Sequence, residues 1–207
     1  LPNPVDLEGL ANHPGSSFGR QVTPQPSQID FENHLAVAML KAHHQVGGPV
    51  YLEDESRLIG RCALPEHFRA RMSESPLLIL EQPMAERVDI IRTDYVEHML
   101  ADYIARDGEE AGWLNFRDYL LSAIDRIRKR LGGARHQELR TLMEQALEQQ
   151  ERTGDTSGHH LWIEALLTDY YDPMYDYQLS QKQGRILVRG GPDEITAYAR
   201  EHHNPYN

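Results

Sequence analysis

Apolar positions recur along the chain in two rhythms. In residues 28–45, Phe31, Leu35, Ala38, Met39 and Ala42 fall at intervals of three and four, which predicts a helix with one core-facing stripe. Ser27 suits its N-cap, and Gly47-Gly48 is placed to stop it. The same spacing predicts helices over residues 84–106, 113–131, 135–152 and 158–170, with a short one after Leu64-Pro65 that ends near Met72. Continuous apolar runs carry a different meaning. Pro49-Val50-Tyr51-Leu52, Leu77 to Leu80 and Gly184 to Val188 read as buried strands, and residues 193–201 as a closing helix behind Pro192. Residues 1–27, rich in Pro and Gly, read as extended and loop structure, with Val5-Asp6-Leu7 as a strand end. Strands separated by helices predict an α/β fold: a parallel sheet flanked by helices, with an inserted or appended helical bundle.

Composition narrows the class. The 207 residues are 40% apolar and 26% charged, which fits a globular chain of one domain, or of one domain plus a small annex. No apolar run approaches the ~20 residues of a membrane helix, so no membrane partner is expected. Cys62 is the only cysteine, which excludes an intrachain disulfide and predicts a reducing, cytoplasmic setting. The chain opens on Leu1 without a methionine, which predicts a fragment of a longer protein. A formal net charge of -11 argues against general nucleic-acid binding. One window reverses that sign: Arg126, Arg128, Lys129, Arg130, Arg135 and Arg140 face a single acid, Glu138.

Four stretches carry candidate chemistry. LEGLANHPGSSFG (residues 7–19) concentrates Gly9, Gly15, Gly19, Ser16 and Ser17 ahead of Arg20, the materials of a phosphate-holding turn or of a solvated connector. VYLEDESRLIG (residues 50–60) ends an apolar strand in Glu53, Asp54 and Glu55, with Arg57 following. Acids at a strand's carboxyl end can hold magnesium or activate water, or simply form a solvated turn. The basic window exceeds what capping of a helix C-terminus requires and fits phosphate or RNA-backbone contact. YYDPMYDYQ (residues 170–178) packs four tyrosines around Asp172-Pro173, either to stack on bases or to pack a helix-ending turn on the core. Adjacent histidines (His43-His44, His159-His160, His202-His203) point apart on a helix, and His160 with Glu164 lacks a visible third ligand, so no metal site is expected. A GxxxxGK[ST] phosphate loop is absent.

Taken in order, LEGLANHPGSSFG, QPSQIDFEN, VYLEDESRLIG, RIRKRLGG, WIEALL and YYDPMYDYQ resemble the bacterial tRNA 2-selenouridine synthase family over nearly the whole chain. The resemblance implies the C-terminal, P-loop-type part of such a protein, without the upstream rhodanese-like domain or the Walker A loop. It implies an incomplete P-loop sheet in residues 1–82, a helical region in 83–180, and a strand and helix in 181–207 that return to the core. Wobble 2-thiouridine in tRNA would be converted to 2-selenouridine through a geranylated intermediate, with geranyl diphosphate and selenophosphate as co-substrates.

Under that resemblance Glu53 and Asp54 become catalytic acids that could hold magnesium or move a proton. Ser16, Ser17, Gly19, Arg20 and Arg57 become diphosphate contacts. Arg126, Arg128, Lys129 and Arg130 become contacts to tRNA near the anticodon loop. Tyr171, Tyr175 and Tyr177 become a base or prenyl pocket. The family's reactive cysteine lies in the rhodanese-like domain, which leaves Cys62 a packing residue. A P-loop nucleotide hydrolase or kinase-like domain and a non-catalytic tRNA-binding module stay open as alternatives.

Overall fold

The computed structural model describes residues 1–45 and 48–203, so the expected stop at Gly47 lies outside the described residues. In chain order the elements are α1 (Leu7–Ala11), α2 (Gln28–Gln45), β1 (Leu58–Ile59), β2 (Cys62–Ala63), α3 (Glu66–Glu74), β3 (Leu77–Leu80) and α4 (Met84–Arg92). A π turn (Thr93–His98) leads into α5 (Met99–Asp107), followed by α6 (Glu109–Arg126), α7 (Arg128–Leu131), α8 (Gly133–Thr153) and α9 (His159–Leu166). A second π turn (Leu167–Tyr171) precedes α10 (Asp172–Ser180), a 3-10 turn (Gln183–Arg185), β4 (Ile186–Gly190) and α11 (Pro192–Glu201). The fold is α/β and mostly helical. Two compact units divide it: Leu1–Gln82 with Lys182–Asn207, and Pro83–Gln181.

In the first unit β3 and β4 pair in parallel, with Leu78 opposite Val188 and Leu80 opposite Gly190. The whole second unit is inserted in the chain between these two strands. Arg185 fixes the entry to β4. Its guanidinium donates to the carbonyls of Ser75 (2.7 Å) and Met72 (2.8 Å) at the end of α3, where unpaired carbonyls favour a cation.

The expected strand at residues 49–52 is reduced to one parallel bridge, Pro4 to Tyr51. Val5 N–H donates to Tyr51 O at 2.9 Å and Tyr51 N–H to Asn3 O at 3.2 Å. The strand end expected at Val5-Asp6-Leu7 gives way to α1, because the Asp6 carboxylate caps a helix through Gly9 N–H at 2.6 Å.

An antiparallel hairpin, β1–β2, lies downstream of the acidic turn and was not expected from the pattern. Its two-residue turn starts at Gly60 with φ 59°, an angle that tight hairpin turns demand and side chains resist. Gln28 completes the open edge of β2: its amide donates to Ala63 O and accepts from Ala63 N–H, both at 2.8 Å. Val5, Leu7, Ala11, Phe31, Leu35, Ile59, Cys62 and Leu64 form the core beneath. Burial pushes the Cys62 thiol up, consistent with a packing role.

The second unit is helical. The helix expected over residues 84–106 is interrupted by the π turn at Thr93–His98, which inserts extra residues and shifts the buried stripe. The helix expected from residue 113 starts at Glu109 and breaks at Ile127, whose φ/ψ of -99°/5° separates α6 from α7. The tyrosine run is helical: the second π turn absorbs Tyr170-Tyr171, and Pro173, which supplies no N–H to the helical ladder, follows it in α10.

Candidate functional site

The first unit gathers the Gly/Ser loop and the acidic turn. Asn12 ends α1 in the left-handed conformation (φ 49°), and its side-chain amide donates to Thr23 and Pro24. The chain then turns through His13-Pro14-Gly15-Ser16. Gly15 N–H donates to Glu8 Oε1 at 2.7 Å, Phe18 N–H to Ser16 Oγ at 3.1 Å, Gly19 N–H to Ser16 O at 3.0 Å, and Ser16 N–H to Pro14 O. These main-chain donors, the ones a bound phosphate would use, are thus engaged inside the chain, one of them by a carboxylate. Gly19 is buried, and a Cβ there would stand 1.9 Å from Pro14 O, so the turn closes only around glycine. Arg20 and Arg57 are exposed and carry no acidic partner among the described residues.

Glu53 is pinned by Leu7 N–H, which donates to Oε2 at 2.8 Å. Burial pushes its carboxyl up, that hydrogen bond pulls it back, and Asp6 and Glu8 add repulsion. Asp54 is turned to solvent and ion-paired with Lys182. Glu55, absent from the catalytic pair expected from sequence, is the most perturbed acid. Burial first, then a hydrogen bond and repulsion from Glu8, push its carboxyl up to about 7. Glu8 and Glu55 therefore join Glu53 as a cluster of carboxyl groups around the loop. The only signal in the sequence was the presence of Glu8 within the glycine-rich stretch.

A divalent ion has no protein-built cage in this group. Among the described residues no set of three or more His, Cys, Asp or Glu side chains is arranged to hold a metal, and Asp54 is already engaged by Lys182. Magnesium needs only one or two protein carboxylates beside substrate phosphates, and any held by Glu53 and Asp54 would share them with Leu7 N–H and Lys182.

The other expected residues belong to the second unit. Arg126, Arg128, Lys129 and Arg130 are exposed at the end of α6 and on α7. Arg130 Nη1 donates to Tyr170 Oη at 2.9 Å, which joins the basic window to the tyrosine run. Tyr170 meets Tyr171 edge-on (centroids 4.9 Å), and Tyr171 stacks on Tyr175 (6.2 Å, 22°). Tyr175 and Tyr177 are exposed, whereas Tyr171 is half-buried. Arg87 pairs with Asp172 at the start of α10, and Arg135 with Glu138 and Asp169. Elsewhere in the unit His159, Gln150 and Trp162 form a buried chain: Trp162 Nε1 donates to His159 Nδ1, and His159 Nε2 donates to Gln150 Oε1, each at 2.9 Å.

Comparison with known proteins supplies the family. The tRNA 2-selenouridine synthase AAA domain family matches residues 1–205. A tRNA 2-selenouridine synthase of Marinobacter nauticus is 82% identical over 200 residues, covering 97% of this chain and 54% of that protein. Those of Shewanella frigidimarina and Alcanivorax borkumensis are 50% and 47% identical, covering 96% and 95% of this chain and 54% of each relative. The chain thus spans about half the length of the curated relatives it matches. No solved structure matches. With a match that runs from the first residue through α11, the chain belongs to the tRNA 2-selenouridine synthase AAA domain family.

Proposed function

We propose that this chain is the C-terminal, P-loop-type part of an enzyme that exchanges the sulfur of wobble 2-thiouridine in tRNA for selenium. One observation carries the reading: the match over residues 1–205, with relatives of that name at up to 82% identity. Geranyl diphosphate and selenophosphate are the co-substrates, and a rhodanese-like domain completes the polypeptide. In the first step the thione sulfur displaces diphosphate from the allylic carbon and the N3 proton leaves. In the second, selenium attacks C2, a geranyl thiolate departs and takes a proton, and water releases phosphate.

The residues around the loop suit both steps. Arg20, Arg57 and the Ser16-Ser17 hydroxyls offer charge and donors to a departing diphosphate. Lys182, tied to Asp54, adds a cation at the same acidic turn. Glu53, held by Leu7 N–H and raised by burial, takes the N3 proton and returns it to the leaving thiolate.

The test is nucleoside mass spectrometry of tRNA carrying 2-thiouridine, incubated with the intact polypeptide and both co-substrates. The expected product is 2-selenouridine, reduced roughly 100-fold or more in Glu53→Gln with tRNA affinity unchanged. The 207-residue chain alone is expected to leave 2-thiouridine unselenated. Neither geranylated nor selenated nucleoside from the intact protein would overturn the reading.

A further inference from the structure

Five arginines of the helical unit are neutralised locally: Arg87 by Asp172, Arg92 by Glu97, Arg106 by Asp107, Arg135 by Glu138 and Asp169, and Arg140 by Asp125 and Glu144. Helix α7 is different. Arg128 and Lys129 are exposed and have no acidic partner among the described residues, while Arg130 is held on the Tyr170 hydroxyl. Local acids do not cancel the patch, because Asp125, Glu138, Asp169 and Asp172 are each committed to His136, Arg140, Arg135 or Arg87. The mounting is firm: Ile127 is buried, and the amides of Arg130 and Leu131 bond back to its carbonyl at 2.9 and 3.0 Å. From Arg130 the surface continues through Tyr170 and Tyr171 to Tyr175, a ladder of rings whose last member is 48% exposed.

We infer that α7 and this tyrosine ladder form one RNA-docking surface, with Arg128 and Lys129 on backbone phosphates and Tyr175 under an unstacked base. Cations that track phosphates beside aromatic rings are the chemistry of single-stranded nucleic-acid recognition. Asp176, exposed on α10 between Tyr175 and Tyr177, keeps phosphates to the α7 side. The inference rests on the proposed function for the choice of RNA as partner, and it assigns the contacts that reading leaves unplaced.

The test is equilibrium binding of a fluorescein-labelled anticodon stem-loop RNA to the intact polypeptide, by anisotropy across a KCl series. Arg128→Ala/Lys129→Ala is expected to weaken binding about tenfold or more near physiological salt. It should also lower the slope of log K against log salt by roughly 1.4–1.8, the release of about two phosphate contacts. Arg128→Lys/Lys129→Arg is expected to restore the slope, and Arg152→Ala, on the far end of α8, to leave it unchanged. Tyr175→Ala is expected to weaken the stem-loop but not a blunt RNA duplex, while Tyr175→Phe binds as the parent does. An unchanged slope in the double alanine variant overturns the surface, as does binding to anionic phosphatidylglycerol vesicles without binding to RNA. Because binding is read without turnover, RNA held in this way by a protein that makes no selenouridine would uphold the surface and sink the proposed reaction.

Discussion

The Glu8 and Glu55 carboxyl groups share a hydrogen bond beside Gly15, whose N–H donates to Glu8. A Cβ on Gly15 would stand 2.7 Å from Glu55 Oε1 and 3.0 Å from Glu8 Oε1, so the loop backbone sits directly on the acid pair. A carboxylate here occupies a main-chain donor that an anionic ligand would otherwise take. The acid pair therefore works as a latch that holds the loop main chain from within.

The latch has a pH signature. Glu55 is raised from the ordinary 4.5 to about 7, so the folded state binds more protons than the unfolded chain between those values. Stability should fall as pH rises from 4.5 to about 7, then level off. Glu55→Gln, which cannot ionise, is expected to remove this slope and to be the more stable protein at about pH 8, as read by urea unfolding across pH. A parental slope retained in Glu55→Gln would mean that the proton resides elsewhere.

Gly19 gives a sharper test of the loop. The atom a Cβ would meet there is backbone, Pro14 O, which cannot rotate away, whereas the obstacle at Gly15 is the movable end of Glu55. Gly19→Ala is expected to destabilise by about 1–3 kcal/mol, the range for overpacking, and Gly15→Ala by less. Denaturation midpoints of the two variants check the order.

Much of the secondary structure was legible, since its signals are local. Residues 28–45 form the helix their spacing predicts, and Leu77–Leu80 form the expected strand. The strand at residues 49–52 shrinks to a bridge because strand length depends on a partner, and among the described residues only Asn3 and Val5 pair with its backbone. The helix breaks at Thr93–His98 and Ile127 leave no glycine or proline mark, so continuous periodicity concealed them. The glycine-rich loop was readable as a special turn, but its donors go to Glu8 and Ser16, a choice made by side-chain packing. The Lys182–Asp54 pair spans 128 positions, and no window of sequence could expose it.

The parallel pair β3–β4 should be the weakest part of the backbone network. Four consecutive apolar residues suit a strand covered on both faces, yet Leu80 is 53% and Leu187 is 56% exposed. Two strands alone gain little independent stability. Native-state hydrogen exchange is expected to be faster at residues 78–80 and 187–189 than in α8 and α9, whose Leu139, Met143, Leu147 and Ile163 are fully buried. Equal protection in both regions would contradict this ranking.

His159 should make the helical unit sensitive to acid. Trp162 can only donate, so His159 Nδ1 accepts and the ring's single proton lies on Nε2, facing Gln150 Oε1. A second proton has no place to go, and burial, aided by Arg92 and His160, lowers the ring from 6.5 to about 4. The unfolded chain then binds more protons between pH 6.5 and about 4. The contribution is complete above 6.5 and is lost as pH falls through that window. His159→Leu is expected to flatten the dependence while lowering stability at neutral pH by roughly 1–3 kcal/mol for each polar group left unpaired, Trp162 N–H and Gln150 Oε1. Tryptophan fluorescence during urea unfolding at about pH 4.5, 5.5 and 7 measures both effects. A variant as stable as the parent at neutral pH would show that this buried chain holds nothing together.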